Sequence, residues 1–204
     1  MFVYTWFMTT QKLPTIKIII ASTRPERGGD KVAKWLMSLT EQYAKEANIE
    51  LIDLREVNLP LLDEPKPASS RQYTHEHTKK WAAQIAEADG FVFVHPEYNH
   101  SPNAALKNAI DFLWYEWNYK PLALVSYGGG AGGARAAEQL RLTAGGCRMY
   151  VLYEQLVFNN YYQYIGEDGK FNAPEGSKDA AHKMLKELIF WTNALREARQ
   201  SRTQ

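Results

Sequence analysis

The stretch Gly90–Trp114, GFVFVHPEYNHSPNAALKNAIDFLW, contains a strand pattern and a helix pattern in direct succession. Its opening run, GFVFV, is typical of a strand covered on both faces. In its last part, apolar residues recur every three to four positions, as on one face of a helix. Between them, Ser101 suits a helix cap and Pro102 suits the first helical position. The stretch therefore predicts a buried strand that leads through a short polar loop into a helix.

Four further apolar runs resemble this strand, and helical patterns separate them. The runs are Ile16–Ala21, Ile49–Leu54, Leu122–Tyr127 and Cys147–Tyr153. Such alternation indicates a parallel sheet with helices on both faces, joined by right-handed crossovers. We therefore expect a three-layer α/β sandwich built on five parallel strands. Because nothing between these elements resembles an interdomain linker, we expect one domain over residues 1–204.

Composition and charge exclude several classes of protein. The 204 residues carry a formal net charge of only +1, which lacks the electrostatic footprint of a nucleic-acid-binding protein. A single cysteine excludes an internal disulfide framework and favours a reducing, cytoplasmic location. The apolar start, MFVYTWFM, is too short to cross a bilayer, and we expect no membrane association. We expect residues 1–14 to form an extension, either flexible or packed on a neighbouring subunit.

The loop after the first strand has the composition of a phosphate site. In an open α/β sheet the ligand crevice lies at the carboxyl ends of the strands. There, residues 22–31 (STRPERGGDK) bring hydroxyls, two arginines and two glycines to the start of a helix. A phosphate needs exposed N–H groups, a helix N-terminus and a cation, and this loop offers all three. The alternative is a flexible turn with solvated arginines.

Two more loops at the same edge suit a flat ring. The HPEYNHSP segment offers backbone N–H groups and the aromatic face of Tyr98, while His100 is either a general acid or an ordinary surface histidine. The glycine-rich segment 126–133, SYGGGAGG, lets the backbone approach a ligand closely. A phosphate cradle, a ledge for a planar ring and an open glycine wall together describe a mononucleotide site. Flavin mononucleotide (FMN) fits this description best.

Parts of this sequence also suit three other kinds of protein or site. Gly128, Gly130 and Gly133 match G-x-G-x-x-G, with Glu154 about twenty residues further on, as in NAD(P)-binding dehydrogenases. In that fold, however, the motif follows the first strand, whereas here it follows the fourth. A flavodoxin-type electron carrier without nicotinamide turnover is a second alternative, which the near-neutral charge disfavours. The His75-x-His77 pair is better explained as part of a solvated helix start, so we predict no metal site.

Four sequence blocks, taken together, resemble the NADPH-dependent FMN reductase family, which includes quinone, azo-dye and chromate reductases. The blocks are ASTR (21–24), LPLLDEP (59–65), PEYNHSPNAALKNAID (96–111) and SYGGGAGG (126–133). The resemblance implies a flavodoxin-like fold with strand order 2-1-3-4-5. It also implies hydride transfer from NADPH or NADH to bound FMN, and then two electrons to a quinone, azo compound, free flavin or similar small molecule. One departure is Ala21, where glycine is commonest in the family.

The resemblance also implies the site residues. The phosphate contacts would be Ser22, Arg24, Gly29, Asp30, Lys31 and Val32. The isoalloxazine contacts, mostly through the backbone, would be Pro96, Glu97, Tyr98, Asn99 and His100, with Ser126, Tyr127, Gly128 and Gly129 on the other side. No acid-base residue is assigned. The family implies a homodimer or homotetramer, in which the aromatic run Phe112–Trp117 and the Asn159–Tyr164 loop would line the neighbour's pocket. We expect Phe112 and Leu113 to lie in the core instead.

Overall fold

The computed structural model describes residues 12–202, in which strands and helices alternate as predicted. The strands are β1 (Thr15–Ile20), β2 (Asn48–Asp53), β3 (Gly90–Tyr98), β4 (Ser101–Pro102), β5 (Pro121–Tyr127) and β6 (Tyr150–Phe158). The α-helices are α1 (Gly29–Ser38), α2 (Leu54–Val57), α3 (Glu76–Ala86), α4 (Ala104–Asp111), α5 (Ala134–Gly146) and α6 (Ser177–Ser201). Short 3-10 helices cover Glu41–Tyr43, Ala68–Ser70, Tyr115–Trp117 and Tyr161–Tyr164.

The five long strands form a parallel sheet in the order β2-β1-β3-β5-β6. The remaining strand, β4, has two residues and pairs only with β3. Counting the long strands alone, this is the predicted 2-1-3-4-5 order, and the predicted flavodoxin-like fold is confirmed. Every residue of β1 and β5 is buried, as expected for strands that helices cover on both faces.

Each face of the sheet has its own hydrophobic core. On one face, α3, α4 and α5 pack around Trp117, whose ring centroid lies 5.0 Å from that of Phe91 and 6.0 Å from that of Phe93. On the other face, α1 and α6 cover β1 and β5. Phe112 and Leu113 belong to the first core, as predicted. Trp117, expected with the same run at a neighbour's pocket, is instead fully buried in this core because it packs against Phe91 and Phe93. The two cores hold the sheet rigidly and leave the loops at its carboxyl edge to form a site.

The predicted boundaries of the last strand were wrong. Cys147 ends helix α5, because its N–H donates to the carbonyls of Thr143 at 3.2 Å and Ala144 at 3.0 Å. The chain then turns through Arg148, which has a φ of 56°. Strand β6 begins only at Tyr150 and runs to Phe158, with a bulge opposite the Leu122–Leu124 segment. The apolar run CRMYVLY therefore spans a helix end, a turn and a strand start.

The prediction that Ser101 and Pro102 begin helix α4 was also wrong. Asn99 and His100 have φ values of 50° and 66°, and together they form a two-residue turn. Strand β4 then folds back on β3, so that residues 97–102 form a hairpin. Helix α4 begins after Asn103, which has an extended backbone. The polar stretch between strand and helix is thus a hairpin of defined register.

The beginning of the described chain packs against its own domain. The N–H of Asn48 donates to the carbonyl of Pro14 at 2.9 Å, and Arg196 donates to the carbonyl of Lys12 at 2.6 Å. The other part of the predicted extension, residues 1–11, lies outside the described residues. None of the helices between residues 12 and 202 is long and apolar enough to span a membrane.

A buried histidine near the end of β3 makes stability depend on pH. His95 is fully buried, and burial lowers its pKa to about 4. An unfolded histidine titrates near pH 6.5, so the unfolded state binds more protons between the two values. We therefore expect the free energy of unfolding to fall as the pH drops from about 6.5 to about 4, by about 3 kcal/mol from this group.

Urea titrations at several pH values in this range, on the native chain and on His95→Leu, measure that contribution. The difference between the two pH slopes isolates the histidine from the carboxylates that titrate in the same range. Identical slopes would contradict the prediction.

Candidate functional site

The loops after β1, β3, β5 and β6 meet at the carboxyl edge of the sheet and enclose a cleft of about 180 Å³. We call it the rim cleft. Its lining consists of Ser22, Arg24, Arg27, Gly28, Pro96, Glu97, Tyr98, Tyr127, Gly128, Gly129 and Tyr161. Three of these loops are those from which the sequence predicted a phosphate cradle, a ring ledge and a glycine wall.

Arg27 holds the β1–α1 loop in place. Its Nη1 donates to the carbonyl of Ser22 at 2.7 Å and to Oδ1 of Asp53 at 2.6 Å, and its Nη2 pairs with Oδ2 of Asp53. The two side chains are only 8% and 13% exposed. Burial alone would lower the pKa of Arg27, but the hydrogen bond and charge of Asp53 outweigh it, so the pKa is raised. Arg27 is therefore a neutralised anchor for the loop.

Arg24 is the available cation of the rim cleft. Its side chain is exposed, with the guanidinium carbon 5.9 Å from the centroid of the Tyr98 ring. Within residues 12–202 it has no carboxylate partner. Helix α1 begins close by, and the N–H groups of Gly29 and Asp30 have no acceptor in the same part of the chain. An unpaired guanidinium beside free helix amides offers the charge and the donors that a phosphate requires.

Two glycines at the start of α1 have no side chains and therefore leave room for two tyrosine rings. A Cβ on Gly28 would overlap the ring of Tyr161, and one on Gly29 would lie 2.5 Å from the hydroxyl of Tyr127. The two rings meet edge to face, with centroids 4.9 Å apart. Burial raises the pKa of Tyr127, which therefore keeps its proton at neutral pH. The glycines thus allow aromatic walls to stand directly against the helix N-terminus.

The 97–102 hairpin is attached to the β1–α1 loop on one side of the rim cleft and to α5 on the other. The hydroxyls of Tyr98 and Ser22 are hydrogen-bonded at 2.9 Å, which joins the hairpin to the β1–α1 loop. Glu97 accepts hydrogen bonds from Nε of Arg135 at 2.6 Å and from its backbone N–H at 3.1 Å. Burial alone would raise the pKa of Glu97, but these hydrogen bonds lower it overall. The carboxylate therefore anchors the hairpin to α5.

The glycine loop is tied to the segment after β6. The carbonyls of Gly128 and Gly129 accept from the N–H groups of Tyr161 at 3.3 Å and Asn160 at 3.0 Å. In return the N–H of Gly128 donates to the carbonyl of Phe158 at 3.2 Å. The N–H groups of Gly129 and Gly130 have no acceptor among the described residues. The loop thus presents free backbone N–H groups to the cleft, and its hydrogen bonds to the segment after β6 fix its position.

The structure separates the predicted site residues into two groups. Those that line the rim cleft are Ser22, Arg24, Pro96, Glu97, Tyr98, Tyr127, Gly128 and Gly129. Gly29 and Asp30 adjoin it with the first turn of α1, and Nζ of Lys31 lies 3.4 Å from the carbonyl of Arg27. The side chains of Val32 and Ser126 are buried in the core, and Asn99 and His100 are exposed at the hairpin tip.

Four residues of the site were not among the contacts that the resemblance implied, namely Arg27, Gly28, Asp53 and Tyr161, although Arg27 and Gly28 lie within the predicted phosphate loop 22–31. Asp53 ends β2 directly beside Ile20 of β1, so a carboxylate at the end of a neighbouring strand was the available signal. The Asn159–Tyr164 loop was expected to line a neighbour's pocket, yet Tyr161 lines the cleft of its own chain. Its position after the last strand places it at the same edge.

The geometry disfavours the dinucleotide-binding and metal alternatives. Glu154 pairs with Lys183 at 3.3 Å and lines a different cavity from the glycine loop. His75 and His77 stack with centroids 5.2 Å apart, and Nε2 of His77 lies 2.9 Å from a carboxylate oxygen of Asp63. Between residues 12 and 202, no cluster of three or more potential ligands is arranged to hold a metal ion.

Comparison with known proteins points to one family. Residues 14–163 match the family model described as NADPH-dependent FMN reductase. An NAD(P)H-dependent FMN reductase of Schizosaccharomyces pombe is 46% identical over 142 residues, which are 68% of this chain and 69% of that protein. An NADPH azoreductase of a Bacillus species is 29% identical over 189 residues, covering 91% and 97% of the two chains.

Among solved structures, a flavoenzyme NAD(P)H:(acceptor) oxidoreductase from Paracoccus denitrificans superposes with a TM-score of 0.69. The two sequences are 20% identical, and the match covers 89% of this chain and 98% of the other. At this identity the likeness concerns the fold.

Proposed function

Because the chain belongs to the NADPH-dependent FMN reductase family, we propose that it binds FMN in the rim cleft and uses it as an NAD(P)H-dependent oxidoreductase. When bound, FMN would supply the redox chemistry that carries a hydride equivalent from NAD(P)H, as two electrons, to a quinone, azo compound, free flavin or similar small molecule. The observation that carries this proposal is the unpaired guanidinium of Arg24 beside the free amides of α1, at the mouth of a cleft with aromatic walls.

The residues of the rim cleft fit a phosphorylated planar ring. Nε of Arg27 is buried without a partner in the described chain, and the Gly29 and Asp30 amides are likewise free. These donors, with Arg24, would hold the phosphate. Pro96 and the hairpin backbone would support one side of the ring, and the Gly128–Gly130 backbone would face the other.

The chain's own contribution to the reaction is binding, orientation and electrostatics. The N–H groups of Gly129 and Gly130 would donate hydrogen bonds to the polar edge of the ring, and donors fixed in advance are the most effective ones. Tyr127 is buried with a raised pKa and Glu97 is engaged by Arg135, so we assign neither an acid-base role. The flanking aromatic side chains of Tyr98 and Tyr161 would exclude water from the ring.

We expect Arg24→Ala to weaken FMN binding about tenfold, because it removes one charge-assisted hydrogen bond to the phosphate. The dissociation constant is measured by quenching of flavin fluorescence. Riboflavin, which lacks the phosphate, provides the control and should bind both proteins equally. Equal FMN affinity in the two proteins would contradict the proposed contact between Arg24 and the phosphate.

An absorption spectrum and an NADPH assay test the proposed function together. The purified protein should carry or take up FMN, and with FMN it should oxidise NADPH in the presence of a quinone. A protein that binds FMN but does not oxidise NADPH or NADH would be an electron carrier instead. A protein that binds NADPH but no flavin would support the dehydrogenase alternative.

We also propose that residues 1–204 form a single domain, that the chain is cytoplasmic and that it assembles as a homodimer or homotetramer. The single sheet with a core on each face supports the first point, and the unpaired cysteine, Cys147, supports the second. The exposed side chains of Tyr153 and Phe190 support the third. Light scattering after size-exclusion chromatography measures the assembly.

A further inference from the structure

A second cleft, of about 380 Å³, lies between α2, the loop that follows it and α4. We call it the α2–α4 cleft. Its volume falls within the range of about 300–1,000 Å³ that is usual for small-molecule sites. Leu54, Leu59 and Ala105 give it apolar walls, while Asn58 and Arg55 provide polar groups. Apolar walls with few polar groups suit a flat organic ring.

The outer wall of the α2–α4 cleft is braced by one side chain. Nδ2 of Asn108 donates to the carbonyl of Pro60 at 2.7 Å, and Oδ1 of Asn108 accepts from the N–H of Leu62 at 2.9 Å. Both hydrogen-bonding groups of the amide are therefore used to hold the loop against α4. The cleft is largely formed before any ligand binds, which reduces the entropy lost on binding.

The two clefts share the β1–α1 loop. Ser22 and Arg24 line the rim cleft, whereas Thr23 lines the α2–α4 cleft. Arg55 supports this loop from the second side, because its Nη2 donates to the carbonyl of Pro25 at 2.9 Å and to that of Arg24. The loop is thus a narrow ridge between a site for a flavin and a second site for a flat ring.

Two arginine side chains lie at the ridge. Within residues 12–202, neither Arg24 nor Arg55 forms an ion pair with a carboxylate. Because Arg24 is assigned to the FMN phosphate, Arg55 is the cation left for a second ligand, and among the described residues that line the α2–α4 cleft it is the only charged one. A ligand that crosses from one cleft to the other therefore meets the guanidinium of Arg55, which favours an anionic group at that point.

We infer that the α2–α4 cleft binds the adenosine end of NAD(P)H, with Arg55 on a phosphate of the nucleotide. This inference rests on the proposed function. A nicotinamide dinucleotide has two flat ring systems joined by an anionic diphosphate. The nicotinamide must reach the flavin in the rim cleft, and the adenine then occupies a second apolar cleft across a cationic ridge. In this chain the rim cleft, the ridge and the α2–α4 cleft follow one another in the same order as the nicotinamide, the diphosphate and the adenine.

The test uses adenosine 2′,5′-bisphosphate, which contains the adenosine end but no nicotinamide. Isothermal titration measures its binding to the native chain and to two variants. Ala105→Trp fills the cleft, and Arg55→Gln removes the cation. We expect each variant to bind the bisphosphate about tenfold more weakly, because a ring contact or a charge-assisted hydrogen bond is lost. Leu142→Trp, at an exposed position of α5, is the matched control and should bind normally.

Titration with 5′-AMP in parallel identifies the phosphate that Arg55 contacts. An equal loss for both ligands in Arg55→Gln assigns the 5′-phosphate, and a loss for the bisphosphate alone assigns the 2′-phosphate. Thermal unfolding and FMN content confirm that the variants are folded. In the enzyme assay, Ala105→Trp should raise the KM for NADPH and leave kcat unchanged.

The inference is overturned if the native chain does not bind the bisphosphate, or if Ala105→Trp, folded and loaded with FMN, binds it normally. Failure of the proposed function gives a different result: the native chain would not oxidise NADPH or NADH, whatever its affinity for the bisphosphate.

Discussion

Replacing Arg27 with alanine is expected to lower the free energy of unfolding by about 3 kcal/mol and to abolish FMN binding, because the largely buried side chain of Asp53 would lose its charged partner. The two side chains are 8% and 13% exposed, so solvent screens the pair weakly. The same change releases the carbonyl of Ser22, which Arg27 holds at 2.7 Å. The β1–α1 loop would then lose the conformation that presents Arg24 and the α1 amides to a phosphate.

A paired substitution separates the two effects. In Arg27→Met/Asp53→Leu no buried charge remains, and we expect much of the lost stability to return while FMN affinity stays low. Urea unfolding measures stability, and flavin fluorescence measures binding. If Arg27→Ala unfolds at the urea concentration of the native chain, the ion pair does not stabilise the loop.

Replacing Gly28 with alanine is expected to weaken FMN binding about fivefold or more, because the new Cβ would occupy the place of the Tyr161 ring. Overpacking of this kind typically costs about 1–3 kcal/mol, which corresponds to a factor of about 5 to about 150 in affinity where the whole cost falls on the bound state. Tyr161 would be pushed into the cleft, or the start of α1 would move away from it. Either displacement would separate the N–H groups at the start of α1 from the Tyr161 ring, which lies beside them in the native chain.

A double-mutant cycle tests this explanation. With Tyr161→Ala already present, Gly28→Ala should have almost no further effect on FMN affinity, because the ring that it would displace is absent. Additive effects would show that Gly28 acts through backbone conformation instead. Gly169→Ala is unsuitable as a control because Gly169 has a φ of 73°, whereas Gly145→Ala meets open space and should be neutral.

The fold was predictable because hydrophobic periodicity is a local property. Buried strands such as β1 and β5 are continuous apolar runs, and the helices between them have clear apolar faces. The 97–102 hairpin was not predicted, because Ser101 and Pro102 satisfy the rules for a helix start as well as those for a strand. Only the left-handed turn at Asn99 and His100 decides between them, and that turn depends on pairing with β3.

The sequence predicted which loops form the site, but it did not predict the role of each residue within those loops. Arg24 and Arg27 are equivalent in the sequence, and only the approach of Asp53, 26 residues further along the chain, makes one an anchor and leaves the other free. Tyr161 was assigned to a subunit boundary by the resemblance, and its proximity to Gly28 has no signature in the sequence because it joins distant parts of the chain. Such roles follow from tertiary packing, which periodicity does not encode.

The hydrogen bonds between residues 128–129 and 158–161 extend the β5–β6 pairing beyond the end of the sheet. One wall of the rim cleft is therefore built from two loops that hydrogen bonds join into a single unit. The amide protons of Asn160 and Tyr161 should accordingly exchange with solvent in step, because both are released only when the two loops separate.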